Sequence, residues 1–184
     1  MAACSYNCSA LSTHELNACG VGAKPGISGW AWLACDHSIT DFTSEAQWNT
    51  AISAGKAVVI GEEAEDNLIS AEYTATPVEV DNPSAKGSKT RLVKIEHTFT
   101  WMDANVSATN DTFYEGLNKS AGFIVWFNFE EDQIRVVELT VNYQVMPAKS
   151  VKGEDFEVYE GTAKWVSDPD VFPELYSAPP NIFE

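Results

Sequence analysis

Positive charge is scarce in this sequence. Eleven Lys and Arg stand against 27 Asp and Glu, giving a net charge of -16 over 184 residues. A tight grip on a nucleic-acid backbone needs cations that displace condensed counterions, so binding of DNA or RNA is disfavoured as the main activity. Lys86, Lys89, Arg91 and Lys94 do cluster, but the same segment reads as the solvated face of a strand. A negative field of this size repels phosphates instead, and it keeps DNA from sticking to a surface that it slides past.

Catalytic patterns are missing as well. No Gly-rich phosphate loop, no G-x-S-x-G elbow and no H-E-x-x-H is present. The three histidines, His14, His37 and His97, fall on separate segments and support no triad. His37 stands near Cys35 and Asp36, and a Cys–His pair can carry acyl transfer. Nothing else supports that chemistry, and a lone His beside a strand end reads as a hydrogen-bonded turn residue. Carboxylates are plentiful, but a glycosidase pair is defined by its separation in space. The expectation is a protein that is not an enzyme, with no assigned catalytic, cofactor-binding or metal-binding residue and no cofactor.

No apolar run approaches the roughly 20 residues that span a bilayer, and no membrane partner is expected. The first residues carry neither a basic nor an apolar signal region, so folding in a cytoplasm is expected. Four cysteines, Cys4, Cys8, Cys19 and Cys35, accompany His14 and His37. Zinc usually takes two paired knuckles, and only the Cys4–Cys8 spacing could form one. Packed thiols, a zinc site and disulfides therefore stay open; a cytoplasm favours reduced thiols. The acidic stretch 61–67 could gather oxygens for calcium, but it lacks the EF-hand spacing and its central Gly, so it reads as a solvated loop.

What the sequence does have is alternation. Along 89–102, Val93, Ile95, Phe99 and Trp101 fall on one side, with Lys94, Glu96, Thr98 and Thr100 on the other. A period of two marks a strand with one buried face, and His97 is the only polar residue on its apolar side. Segments 121–129 and 134–145 read as two more strands joined by a hairpin link at 130–133. In 121–129, Ile124 and Trp126 add apolar side chains to the second face, so both faces are expected to be covered. Further strands are expected at 27–34, with Trp30 and Trp32 on one face, at 57–60, and at 156–167 with Gly161 at a bend. The stretch 68–80 is interrupted by Pro77, so it reads as an edge strand or as two pieces. A turn-rich loop at 81–88 follows it.

Helices are expected at 43–55 and 109–118. The first has capping-box form at Ser44 and Gln47, an apolar face of Trp48, Ala51 and Ile52, and a stop at Gly55. In the second, Thr109 or Asn110 would cap, and Phe113 and Leu117 would pin the helix across the sheet. The domain reading is an irregular N-terminal arm at 1–26, one β-rich domain at 27–167 and a Pro/aromatic arm at 168–184. That last arm carries too many apolar side chains to be a disordered tail, and is expected to dock on its own core or on a neighbour. The fold class is mainly β with one or two short helices (α+β), built as an antiparallel sandwich or barrel.

Strand, short helix, strand, hairpin, strand is an order that resembles the tail tube proteins of tailed bacteriophages. The segments 94–102, 110–118, 122–129 and 134–146 carry the resemblance. Cys4, Cys8, Cys19 and Gly20, then Asp41, Phe42, Thr43, Trp48, Ala54, Gly55 and Lys56, and finally Lys164, Trp165, Pro173 and Pro179 resemble virion proteins of phages infecting Bacteroidota. The resemblance implies a β-sandwich or barrel flanked by a helix, whose subunits join sheets edge to edge into rings that stack into a tube. It implies copies of itself and other virion proteins as partners, DNA passing without specific binding, and a place in the phage tail. It carries no catalytic residue. The alternatives are another virion component (head decoration, neck, tail terminator or baseplate) and a ligand-binding β-sandwich.

Overall fold

A computed structural model describes residues 27–61, 69–82, 89–129, 132–139, 143–152, 156–169 and 171–182. The readings made for 1–26, for most of the acidic loop 61–67 and for most of the turn 81–88 lie outside the described residues. That includes Cys4, Cys8, Cys19 and His14.

The strands are β1 (Gly29–Ala34), β2 (Ala57–Gly61), β3 (Ile69–Asn82), β4 (Lys89–Asp103), β5 (Ala121–Asn128), β6 (Gln133–Glu138), β7 (Gln144–Lys152), β8 (Phe156–Ser167) and β9 (Glu174–Ser177). They form two antiparallel sheets, one ordered β2-β1-β5-β6-β9 and the other β3-β4-β8-β7, packed as a sandwich. Two helices, α1 (Glu45–Ser53) and α2 (Ala108–Ser120), complete the described elements. The mainly β, antiparallel sandwich expected from alternation is the observed architecture.

The five-stranded sheet is buried on both faces, which is why β1 and β5 read as nearly unbroken apolar runs. Trp30, Trp32, Ile124, Trp126 and Val137 face the other sheet, where they meet Phe99, Trp101, Ala163 and Trp165. Ala31, Leu33, Val125, Phe127, Ile134 and Val136 face outward onto a second core built with Phe42, Trp48 and Ala51. Trp48 is the anchor of α1: it is fully buried, and its indole N–H donates to the Phe42 carbonyl at 2.9 Å. Ile52, expected beside it, is exposed. The capping box at Ser44 is not made either. Gln47 Oε1 turns back to accept from the amides of Thr40 and Asp41, so it ties down the loop before the helix.

Helix α2 begins one residue before the expected start, at Ala108, with Ser107 as N-cap accepting from the Asn110 amide at 3.1 Å. Phe113 and Leu117 are buried as expected and plug the inter-sheet core. Tyr114 donates to the buried carboxylate of Asp103 at 2.8 Å, which locks the helix to the end of β4.

Three further expectations need correction. The stretch 134–145 is not one strand: β6 ends at Glu138 in the five-stranded sheet and β7 starts at Gln144 in the other. Val137, Leu139 and Val145 still point into one core, because the chain changes sheets while keeping its apolar side inward. Val93 is also exposed, since a register shift opposite Val78 and Glu79 leaves it outside the β3–β4 pairing, beyond the sandwich. Gly161 sits within β8 opposite Trp101, and a Cβ there would overlap the Trp101 ring. The glycine makes room for an indole rather than a bend.

The C-terminal segment docks on its own core. Strand β9 pairs with β6, and Tyr176 and Ile182 pack against the second core.

Candidate functional site

The closest approach to a catalytic constellation is around His97, buried in β4. Its Nε2 lies 2.7 Å from Ser167 Oγ and its Nδ1 lies 2.8 Å from the Tyr73 hydroxyl. A Ser–His contact of this length would suit a nucleophile and its base, but the remaining partners reverse the proton's direction. Ser167 Oγ also lies 2.8 Å from the Val171 carbonyl and 3.0 Å from that of Asp168. Carbonyls can only accept, so the serine proton goes to them and His97 Nε2–H donates to Ser167 Oγ. Nδ1 then accepts from Tyr73. The histidine is a neutral relay that joins β3 (Tyr73), β4, the end of β8 (Ser167) and the start of the C-terminal segment. Trp165 stacks on it at 5.1 Å, and burial holds its pKa below 6.5.

A second polar group lines a cleft of about 710 Å3 between α2 and β7. Asp111 accepts from the Tyr159 hydroxyl at 2.7 Å and from Lys149 Nζ at 3.1 Å, and Lys149 reaches Glu157 at 3.5 Å. The hydrogen bond from Tyr159, then that from Lys149, holds Asp111 below the usual carboxylate range. The bond to Asp111 raises Lys149, while burial and then the same carboxylate raise Tyr159. Burial followed by Asp103 raises Tyr114 strongly. Each of these shifts moves a group away from neutrality, so none of the four is poised to exchange protons near pH 7.

His37 behaves as the turn residue expected: its Nδ1 accepts from the Ile39 amide at 3.1 Å, and its ring packs edge-on against Phe123. Cys35 is disulfide-bonded, with its partner outside the described residues. For this cysteine the disulfide alternative holds, in place of a packed or zinc-bound thiol. No group of three or more metal-ligating residues occurs among the described residues.

The edges and outer face of the four-stranded sheet form a further surface. The four-stranded sheet ends in β3 on one side and β7 on the other. Each carries a proline, Pro77 and Pro147, the residue that edge strands tolerate because its missing N–H can face away from the ladder. Pro77 does not break β3, which runs unbroken over 14 residues. Its inner face packs on the five-stranded sheet and on α2. Its outer face presents exposed Glu72, Thr74, Glu96 and Lys164 and half-buried Thr98 and Thr100. Sequence alternation identified this face; the edges and the relay depend on strand order.

No protein-family profile matches the chain, and no curated protein matches it either.

Proposed function

We propose that this chain is a self-assembling structural subunit, of the kind that forms the tail tube of a bacteriophage, and that it is not an enzyme. The observation that carries the reading is the contrast between the two sheets. The five-stranded sheet is covered on both faces, whereas the four-stranded sheet has an open outer face and a strand at each edge that can pair further. Long edges are a liability unless they are blunted or another chain covers them, and Pro77 and Pro147 each remove one N–H from edges of 14 and 9 residues. Pairing β3 of one copy with β7 of the next is a heterologous contact, and such contacts close into rings when the rotation allows.

The outer face of that sheet would then line the lumen. Among its exposed side chains Glu72 and Glu96 stand with Lys94 and Lys164, and threonines lie between them. Its two lysines are balanced by the two glutamates and no aromatic platform for bases is among them, so DNA would pass without being held. The resulting place is the phage tail, with other virion proteins at the ends of the tube.

A ligand-binding sandwich is the second reading, favoured by the cleft between α2 and β7, whose volume suits a small molecule. Asp111, Lys149 and Tyr159 are engaged with one another there, which leaves fewer free polar groups to recognise one.

Negative-stain electron microscopy of the purified protein across a concentration series tests the proposal. Tubes of uniform diameter support it, single rings point to a terminator or neck role, and small monodisperse particles at high concentration overturn it.

A further inference from the structure

The cleft between α2 and β7 runs along the edge of a strand. Its β7 wall is seven consecutive residues, Tyr143 to Lys149, and they come from both faces of the sheet. Val145, Pro147 and Lys149 belong to one face, and Gln144, Met146 and Ala148 to the other. A cavity over either face would touch alternate residues, whereas one beside the edge touches them all. That edge is open, since β7 pairs with β8 on one side and with no described strand on the other. The facing wall is α2, through Asp111, Tyr114 and Glu115.

The edge offers main-chain groups to the cleft. Pro147 sits in a ladder that runs unbroken from Gln144 to Lys152, so its missing N–H is on the side away from β8. Backbone groups alternate in direction along a strand, so Val145 and Lys149 also turn their N–H and C=O to that side. Pro147 removes the middle donor but keeps its carbonyl there. Seven residues of strand span about 20 Å, so a volume of about 710 Å3 has a mean section of about 35 Å2. A helix, 10–12 Å across with its side chains, needs about 80 Å2 or more. An extended chain, which takes about 5 Å beside its neighbour in a sheet, fits.

The polar side chains of the cleft fall into two sets. At one end Asp111, Lys149, Tyr159 and Glu157 satisfy one another. Glu115, one helical turn or about 6 Å along α2, makes no hydrogen bond or ion pair among the described residues. Nor do the side chains of Tyr143 and Gln144 make a hydrogen bond. Lys119, four residues beyond Glu115, does not line the cleft, and the side chain of Lys152, three residues beyond Lys149, is outside the described residues. The unpaired charge lining the cleft is therefore a carboxylate.

We propose that this cleft is a peptide-binding groove, which takes an extended, cationic segment of a partner protein as an added strand on β7. Main-chain bonds to Val145, Pro147 and Lys149 hold such a segment, and a lysine or arginine on it meets Glu115. The net charge of -16 draws a cationic segment in. The inference goes beyond the self-assembly reading and does not depend on it. The two meet at one strand, because a filled groove takes the β7 edge from sideways pairing. Strand β3, which that pairing would bring, carries Glu72, Glu79 and Asp81 and no cation, so a cationic segment competes well with it.

Synthetic peptides test the groove on the full chain. The probes are a panel of capped peptides of about eight residues, enough to span the cleft, each with one central lysine among valine, threonine, tyrosine and leucine. Binding is read by fluorescence anisotropy and located by hydrogen–deuterium exchange, with slowed exchange expected over 143–149. The best binder is then remade with its lysine as glutamate, and in two forms N-methylated on one or the other set of alternate amides. A strand pairs through one edge only, so one N-methylated form should lose binding and the other keep it. The glutamate form should bind about three- to tenfold more weakly, the scale of an exposed ion pair turned to repulsion. Glu115→Lys should reverse that preference; its side chain is exposed, so the circular dichroism of the subunit stays as in the parent. Failure of every peptide to bind at millimolar concentration overturns the groove. Equal binding of both N-methylated forms, protection confined to other segments, or a charge preference unmoved by Glu115→Lys overturns it too. None of these results bears on whether the protein forms rings or tubes, which electron microscopy of the protein alone decides.

Discussion

The His97 relay sets a pH dependence that can be worked out in sign and size. Burial holds the folded pKa of His97 below 6.5, and none of its hydrogen-bond or stacking partners among the described residues is a carboxylate. Tyr73, Ser167 and Trp165 surround it, and the Arg135 guanidinium acts on neighbouring Tyr73. Above pH 6.5 both folded and unfolded chains carry a neutral imidazole, so the relay contributes fully. As pH falls below 6.5 the unfolded chain takes up a proton that the folded chain refuses, and stability falls. The loss stops once pH passes below the folded pKa. Within that window the slope is about 1.4 kcal/mol per pH unit for each such histidine. His37, also lowered by burial against the opposing pull of Asp36, adds its own share.

Urea unfolding followed by tryptophan fluorescence between pH 7.5 and 5 measures the slope. Relief of self-repulsion in a chain of charge -16 acts in the opposite direction, so the decisive quantity is a difference. His97→Gln lowers stability at pH 7.5 by about 1–3 kcal/mol, because Tyr73 and Ser167 lose a shared partner. Its curve should then be flatter than that of the parent below pH 6.5, and the two should converge as pH falls. Parallel curves would refute a neutral, buried His97.

Two further outcomes check the packing. Gly161→Ala pushes a methyl group into the Trp101 ring on one side and the Met146 carbonyl on the other, neither able to yield cheaply. It should cost about 1–3 kcal/mol and alter the near-ultraviolet circular dichroism of the tryptophans; unchanged melting would show that the indole sits elsewhere. Deleting residues 168–184 strips β9 from β6 and uncovers the second core beneath Tyr176 and Ile182, so the subunit itself should lose on the order of 2–4 kcal/mol. A truncated chain that melts like the parent and merely fails to assemble would mean that the segment serves a neighbour instead.

How much of this was legible in the sequence depends on what alternation encodes. A period of two says which side of a strand is apolar, and it says so accurately for Ile95, His97, Phe99 and Trp101, all buried on one face of β4. It does not say which sheet a strand belongs to. Both sheets present their apolar sides to a single core, so the run from Val137 through Leu139 to Val145 keeps its phase while the chain crosses between them, and one strand was expected where there are two. Strand β7 was hidden for a related reason. Its side chains alternate poorly because α2 and a cleft face it, and Pro147 argues against a strand until its edge position is known. Helix caps were partly legible: Ser44 occupies the N-cap position, yet Gln47 found stronger partners in the preceding loop.

The candidate surfaces were the least legible part, since each is made by order and register. Lys89, Arg91 and Lys94 read as a solvated strand face, and Lys94 is exposed. What sequence could not convey is that β8 stops at Ser167, so this stretch of β4 leaves the sandwich together with Val171 and Phe172 beside its base.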